Sequence, residues 1–253
     1  MKDAIHIKNV SKSFGAVRAV DDVSLTIEGG TICGFIGSDG AGKTTILRMA
    51  AAMIPPDRGT ITIGGHDVTA ERRHMKSVIG YMPQRFGLYQ DLTVTENISF
   101  FMDIFGIRGA ERNRRMERYL AFSNLLPFIN RLAGNLSGGM KQKLGLACVL
   151  VHEPAVLILD EPTNGVDPVS RAEFWDILLQ MKGEGMTLLI STAYLDEGEK
   201  CDSLALMHRA RIIHAGTPEE IRAEFPTVEE AMIHDIENVD EDMAHDTFSN
   251  QRH

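Results

Sequence analysis

The stretch "GFIGSDGAGKTTILRM", residues 34–49, decides how the rest of the chain is read. It sets Gly37, Gly42, Lys43 and Thr44 in the order G-x-x-x-x-G-K-T, a glycine-rich phosphate loop. The apolar run "TICGFIG" precedes it and a segment rich in Leu, Met and Ala follows, so the loop joins a buried strand to a helix. In such a loop, glycines let the backbone close around phosphate oxygens with N–H groups pointing inward. The helix start adds the positive end of its dipole. Residues Gly37, Ser38, Asp39, Gly40, Ala41, Gly42, Lys43, Thr44 and Thr45 are therefore candidate phosphate contacts. Lys43 supplies a point charge for the outer phosphates, and Thr44 a hydroxyl for magnesium. Asp39 is discordant. A carboxylate about 4 Å from a phosphate charge costs on the order of 1 kcal/mol in water and about 4 kcal/mol at an effective dielectric of 20. Its side chain is expected to point away from the phosphates.

The totals narrow the class. The chain has 253 residues, 43% hydrophobic and 24% charged, enough to bury a substantial core. A net charge of -9 leans against a nucleic-acid partner. Cys33, Cys148 and Cys201 are far apart with no CxxC pair, which reads as buried free thiols in a reducing cytosol. The start "MKDAIHIKNV" does not read as a secretory leader. No apolar run approaches the roughly 18 residues that cross a bilayer. A membrane role is then expected to run through a partner.

The fold class follows from three short apolar runs: residues 31–37, "AVLILD" (155–160) and "MTLLIST" (186–192). Each reads as a strand buried on both faces of a parallel sheet. Segments 5–10, 24–27 and 60–63 alternate more, as in a small antiparallel part, and "SVIGYM" (77–82) adds a further strand. "SLALMH" (203–208) and "RIIHAG" (211–216) read as a closing hairpin. Between them, about residues 85–153 carry helical spacing and form an insert. The domain reading is a main unit over residues 1–225 and an acidic, solvated, partly disordered tail over 226–253.

Two further motifs carry chemistry. "AVLILDEPTNGVDP" ends a strand in Asp160-Glu161. Asp160 is expected near the phosphate loop, holding magnesium, and Glu161 is expected to orient or deprotonate a water. "LSGGMKQKLGLACVL" (136–150) offers Ser137 as an N-cap, with Gly138 and Gly139 leaving the first helical turn bare. That makes a second anion cradle in a chain with one phosphate loop.

These motifs together resemble an ATP-binding cassette (ABC) ATPase over about residues 4–225. The resemblance implies an α/β P-loop NTPase fold: a RecA/F1-like parallel core, a small antiparallel β subdomain and an inserted helical subdomain. It implies ATP and Mg2+ as cofactors, with Gln84 joining Thr44 and Asp160 at the metal and joining Lys43 and Glu161 in catalysis. It also implies head-to-tail pairing with a second cassette. The signature residues Ser137, Gly138, Gly139 and Gln142, with Asp167 of "NGVDP", would then face ATP held by the other cassette. Phe14 of "SKSFG" matches the adenine-stacking position; the other reading is an ordinary core phenylalanine.

Within the family, "GYMPQRFGLYQDLTVTENISFF", "AGTPEEI" and "PTVEEAMI" are similar to ATPase subunits of bacterial ABC-2-type exporters, which bind a separate membrane permease. The implied location is the cytoplasmic face of the cell membrane. One position departs from the family: "ISTAYLDE" has Ala193 where a histidine usually follows the strand. His208 and His214 lie on later strands and read as structural. The departure resembles the first cassette of tandem subunits and implies a slow site paired with a histidine-bearing cassette. Two alternatives stand beside an exporter: a soluble, non-transport ABC ATPase, and a nucleotide-gated regulatory cassette with little hydrolysis.

Overall fold

The computed structural model describes residues 4–250. A long antiparallel hairpin opens the chain, β1 (Ile5–Phe14) and β2 (Val17–Ile27), turning at Gly15. Strand β3 (Ile32–Ile36) runs into the phosphate loop and α1 (Lys43–Ala50). Strands β4 (Arg58–Ile63) and β5 (His66–Asp67) complete a first sheet in the order β2-β1-β4-β5. Helix α2 (Arg72–Val78) leads to β6 (Ile79–Met82). The helical insert follows as α3 (Val94–Ile104), α4 (Gly109–Phe122) and α5 (Gly138–Leu150). The core resumes with β7 (Val156–Asp160), α6 (Pro168–Gly183), β8 (Thr187–Thr192) and the short α7 (Leu195–Gly198). The hairpin β9 (Ser203–His208) and β10 (Arg211–Gly216) precedes α8 (Pro218–Glu224) and α9 (Val228–Asn250).

The second sheet has the order β10-β9-β3-β8-β7-β6 and is parallel except at β10. All residues of β3, β7 and β8 are buried, as the continuous apolar runs require of strands covered on both faces. One core lies between this sheet and α3, α5 and α6; the other lies between it, α1 and the antiparallel sheet. Register then places the site. Ile36 pairs with Thr192, and Asp160 with Ser191, so three strands end on one edge. Ligands of open parallel sheets bind beyond that edge.

The insert is tied to the core by charge. Glu153, a non-glycine residue at φ 55°, receives Arg114, Arg115 and Arg118 from α4, and Arg118 also reaches Glu184. Thr93 and Glu96 close a reciprocal capping box at the start of α3.

Two expectations change. Ser77 and Val78 finish α2, and the strand begins only at Ile79, because a short apolar run does not by itself separate helix from strand. The acidic segment begins as a helix and not as a free tail: the start of α9 docks on the core through buried Val228 and Ala231. Its acidity supplies partners for the hairpin. Asp235 Oδ2 lies 3.0 Å from His214 Nδ1, and Asp240 Oδ1 lies 3.1 Å from His208 Nε2 and 3.0 Å from Arg209 Nε. Residues 251–253 of that expected tail lie outside the described residues. Among the described residues no helix is long and apolar enough to cross a membrane.

Ala231→Glu places a charge in the buried seam of α9. It should lower the stability read from urea midpoints by about 2–3 kcal/mol. Glu237→Ala, on the exposed side of α9, should stay within about 0.5 kcal/mol in the same titration.

Candidate nucleotide site

The phosphate loop is shaped by close backbone approach. A Cβ on Gly37 would sit 2.3 Å from the Met207 carbonyl oxygen, and one on Gly42 would sit 2.4 Å from that of Ala19. Gly42 also holds φ 107°, so it is glycine on both counts. Lys43 starts α1 and is almost fully buried. Its Nζ donates to the carbonyls of Gly37 (2.7 Å) and Ser38 (3.1 Å) and lies 3.3 Å from Glu161 Oε1.

The Asp-Glu pair ends β7 as the sequence suggests, with both residues buried. Thr44 Oγ1 donates to Asp160 Oδ1 at 2.9 Å, and Ser191 Oγ donates to the same oxygen at 2.7 Å. Tyr81 Oη lies 3.4 Å from Asp160 Oδ2. Burial pushes the Tyr81 hydroxyl above its ordinary range; a hydrogen bond with Arg48 opposes this, and the Asp160 charge adds to the rise. Glu161 adopts φ 47°, a left-handed backbone unusual for a glutamate. Its N–H is held by Ser191 Oγ (2.9 Å) and Ser191 O (3.1 Å), while its Oε2 accepts from Gln84 Nε2 (2.9 Å) and Asn164 Nδ2 (3.1 Å).

Part of this set opens onto a cleft of about 430 Å³. Asp39, Gly40, Ala41, Gly42, Lys43, Thr44, Thr45, Gln84 and Glu161 line it, together with Val17, Arg18 and Ala19 of β2. Asp39 is exposed at its edge. Phe14 is 52% exposed and pairs across the hairpin with Val17, which is no setting for an ordinary core phenylalanine. The donor set Thr44 hydroxyl, Asp160 carboxylate and Gln84 amide is all hard oxygen, the chemistry magnesium prefers.

Ser137, Gly138, Gly139, Gln142 and Asp167 do not line this cleft. Ser137 caps α5 by accepting from the Met140 N–H at 3.3 Å. Asp167 caps α6 by accepting from the Ser170 N–H at 2.9 Å, a bond that holds its carboxyl below the usual range. The expected bare turn is half right. Gly138 faces open space, whereas Gly139 is buried, and a Cβ there would meet the Ser170 side chain at 2.4 Å. Its glycine serves the packing of α5 on the start of α6. Ala193 is exposed just beyond β8.

Ser191, Asn164 and Tyr81 belong to the site, and the sequence did not nominate them. The signal present was the polar pair Ser191-Thr192 ending an apolar strand, and Asn164 within "EPTNGVDP".

A phosphate loop at the carboxyl edge of a parallel core, a buried Asp-Glu pair beside it and an inserted helical unit define an α/β P-loop nucleotide-binding cassette. The chain belongs to the ABC transporter family, whose sequence model matches residues 20–164. It is 47% identical over 224 residues to the probable multidrug ABC transporter ATP-binding protein YbhF of Escherichia coli (strain K12), covering 87% of this chain and 39% of that protein. The chain thus spans well under half of that relative's length. It is 39% identical over 215 residues to the Nod factor export ATP-binding protein I of Burkholderia lata, covering 85% of this chain and 71% of that one. It superposes with a TM-score of 0.76 and 25% identity on the dimeric structure of MJ0796, a bacterial ABC transporter cassette, covering 84% of this chain and 98% of that one.

The two signature glycines should separate in a stability assay. Gly139→Ala forces the Ser170 contact apart and should cost about 1–3 kcal/mol. Gly138→Ala meets open space and should change urea stability by less than about 1 kcal/mol. Equal effects would show that the packing on Ser170 is not what needs glycine.

Proposed function

We propose that this chain binds MgATP in the cleft between the phosphate loop and the end of β7, and hydrolyses it. The observation that carries this reading is the convergence of Lys43, Thr44, Gln84, Asp160 and Glu161, from three separated stretches of sequence. Thr44, Asp160 and Gln84 would hold magnesium, which when bound neutralises charge on the phosphate oxygens. Lys43 would bind the outer phosphates, backed by the loop from Gly37 to Thr45. Glu161, aimed by Gln84 and Asn164, would orient water and take its proton.

The 3.3 Å pair between Lys43 and Glu161 adds a consequence. Phosphate oxygens would compete with Glu161 for the ammonium. Nucleotide binding would then loosen Glu161 from Lys43 and leave its carboxylate to the water.

The site also needs a second surface. Ser137, Gly138, Gly139, Gln142 and Asp167 sit away from this chain's own cleft, which supports ATP closing a head-to-tail pair of cassettes. Phe14, exposed beside the cleft, would stack on adenine. The names of the relatives, a multidrug transporter protein and a Nod factor export protein, support work in export; a membrane permease of ABC-2 type as partner and a place on the cytoplasmic face of the membrane rest on the sequence resemblance. The cassette boundary proposed is residue 225, with the insert over about 85–153.

Ala193 favours a second, asymmetric reading. The exposed methyl at the end of β8 offers no hydrogen bond to a phosphate or to Glu161. The partner cassette would then carry the histidine, and this chain's site would turn over slowly. Purified chain should bind ATP yet hydrolyse it slowly, and Ala193→His should raise the rate about 10-fold or more. Glu161→Gln should retain ATP and show dimers in sedimentation. Failure to bind ATP would overturn the function. Brisk turnover unchanged by Ala193→His would overturn the asymmetry alone.

A further inference from the structure

Glu197 is a buried carboxylate that none of the steps above uses. It sits on α7, five residues past the end of β8, and is 1% exposed. Each of its oxygens accepts one hydroxyl: Oε1 from Thr163 at 2.6 Å and Oε2 from Thr192 at 2.6 Å. The nearby cations go elsewhere, Arg171 to Asp196 and Arg222 to Glu199. Among the described residues, Glu197 therefore has hydroxyl rather than cationic partners. A buried carboxylate is costly unless hydrogen-bonded, and bonds to a charged acceptor are the strong ones.

What it joins is the point of interest. Thr192 is the last residue of β8, and its Oγ1 also accepts the Tyr194 N–H at 3.0 Å. Thr163 lies two residues beyond Glu161 and directly before Asn164, whose amide donates to the Glu161 carboxylate. The Glu161 N–H is held on its other side by Ser191. The left-handed turn at Glu161 is thus pinned at both ends to the end of β8, at one end by Ser191 and at the other through Glu197.

We infer that Glu197 is a positioning residue: it joins the loop 161–164 to the end of β8, holding Asn164 and Glu161 in the geometry that water attack requires. As a role in hydrolysis it rests on the ATPase reading above; as a joint it stands on the hydrogen bonds alone. The joint does not touch the phosphate loop, so it acts on the chemical step and not on ATP binding. It also ties the strand end that carries Ala193 to the segment that continues into Asp167 and α6.

Thr163→Val removes one donor at constant shape, Thr163→Ser restores it, and Glu197→Gln leaves one hydroxyl a neutral, weaker acceptor and replaces the other hydroxyl's acceptor with an NH2 donor. Amide hydrogen exchange of residues 161–167 should speed up about tenfold in Thr163→Val and Glu197→Gln, with residues 43–50 unchanged. In the full chain, kcat should fall about 10- to 100-fold while KM for ATP stays within about twofold. Thr163→Ser should return both readouts to wild type. A lowered melting temperature with kcat, KM and local exchange all unchanged would reduce Glu197 to packing and overturn the assignment. Equal loosening of 43–50 would do the same. A wild-type chain that neither binds nor hydrolyses ATP would sink the ATPase reading and the hydrolytic role with it, while exchange would still decide the joint.

Discussion

Two hydroxyls converge on one carboxylate oxygen. Thr44 from α1 and Ser191 from β8 both donate to Asp160 Oδ1, on a residue 1% exposed at the end of β7. This junction sets the start of α1 against two central strands, and so sets the phosphate loop against the acidic pair. Hydrogen bonds in such a dry place are stronger than in water, and a buried group left unpaired is correspondingly costly. The parallel register that places Asp160 beside Ser191 is therefore more than a packing solution. Slipping either strand by one residue would turn its polar end residue to the opposite face of the sheet.

The same junction forces the backbone beyond it. β7 ends at Asp160, and Glu161 must leave the sheet while its N–H stays bonded to Ser191. The result is φ 47° at a non-glycine residue, a conformation that costs of order 1–3 kcal/mol and persists only where the surroundings over-determine it. Here Ser191, Gln84, Asn164 and Lys43 do so. The charge balance is also uneven, with two buried carboxylates, Asp160 and Glu161, and one buried lysine that pairs with Glu161. Adding a polyphosphate to that set deepens the negative excess, and this is the electrostatic reason a divalent cation belongs with the nucleotide in the proposed mechanism.

The sequence made the local parts of this site legible and the distant ones only by pattern. Gly37 to Thr45 are contiguous, and their spacing alone implies a phosphate cradle. Thr44 and Asp160 are 116 positions apart, and only the buried character of the strand before Thr44 and of the strand carrying Asp160 suggested that they meet. Ser191, Thr163 and Glu197 stay hidden in the sequence, because hydroxyl-to-carboxylate bonds between distant segments leave no periodic trace. The two glycines of "LSGG" look equivalent in sequence, yet Ser170 separates them in space. The helix at 228–250 was hidden by composition. Its acids are interleaved with its apolar residues along the chain, but Val228 and Ala231 reach the core, and Asp235 and Asp240 meet histidines whose own role was invisible without them.

Ala193 reads differently with the structure in place. A methyl at that position offers no side-chain hydrogen bond of its own to the reacting groups, yet it does not leave the strand end loose. Thr192, one residue earlier, is held by Glu197, and through Thr163 the connection returns to the loop of Glu161. The strand end thus keeps its mechanical link to the acidic loop while lacking a chemical one. That separation fits a site that is assembled and able to hold its ligand, with the rate of the chemical step set by what a facing cassette supplies. A damaged site would be expected to lose both links together.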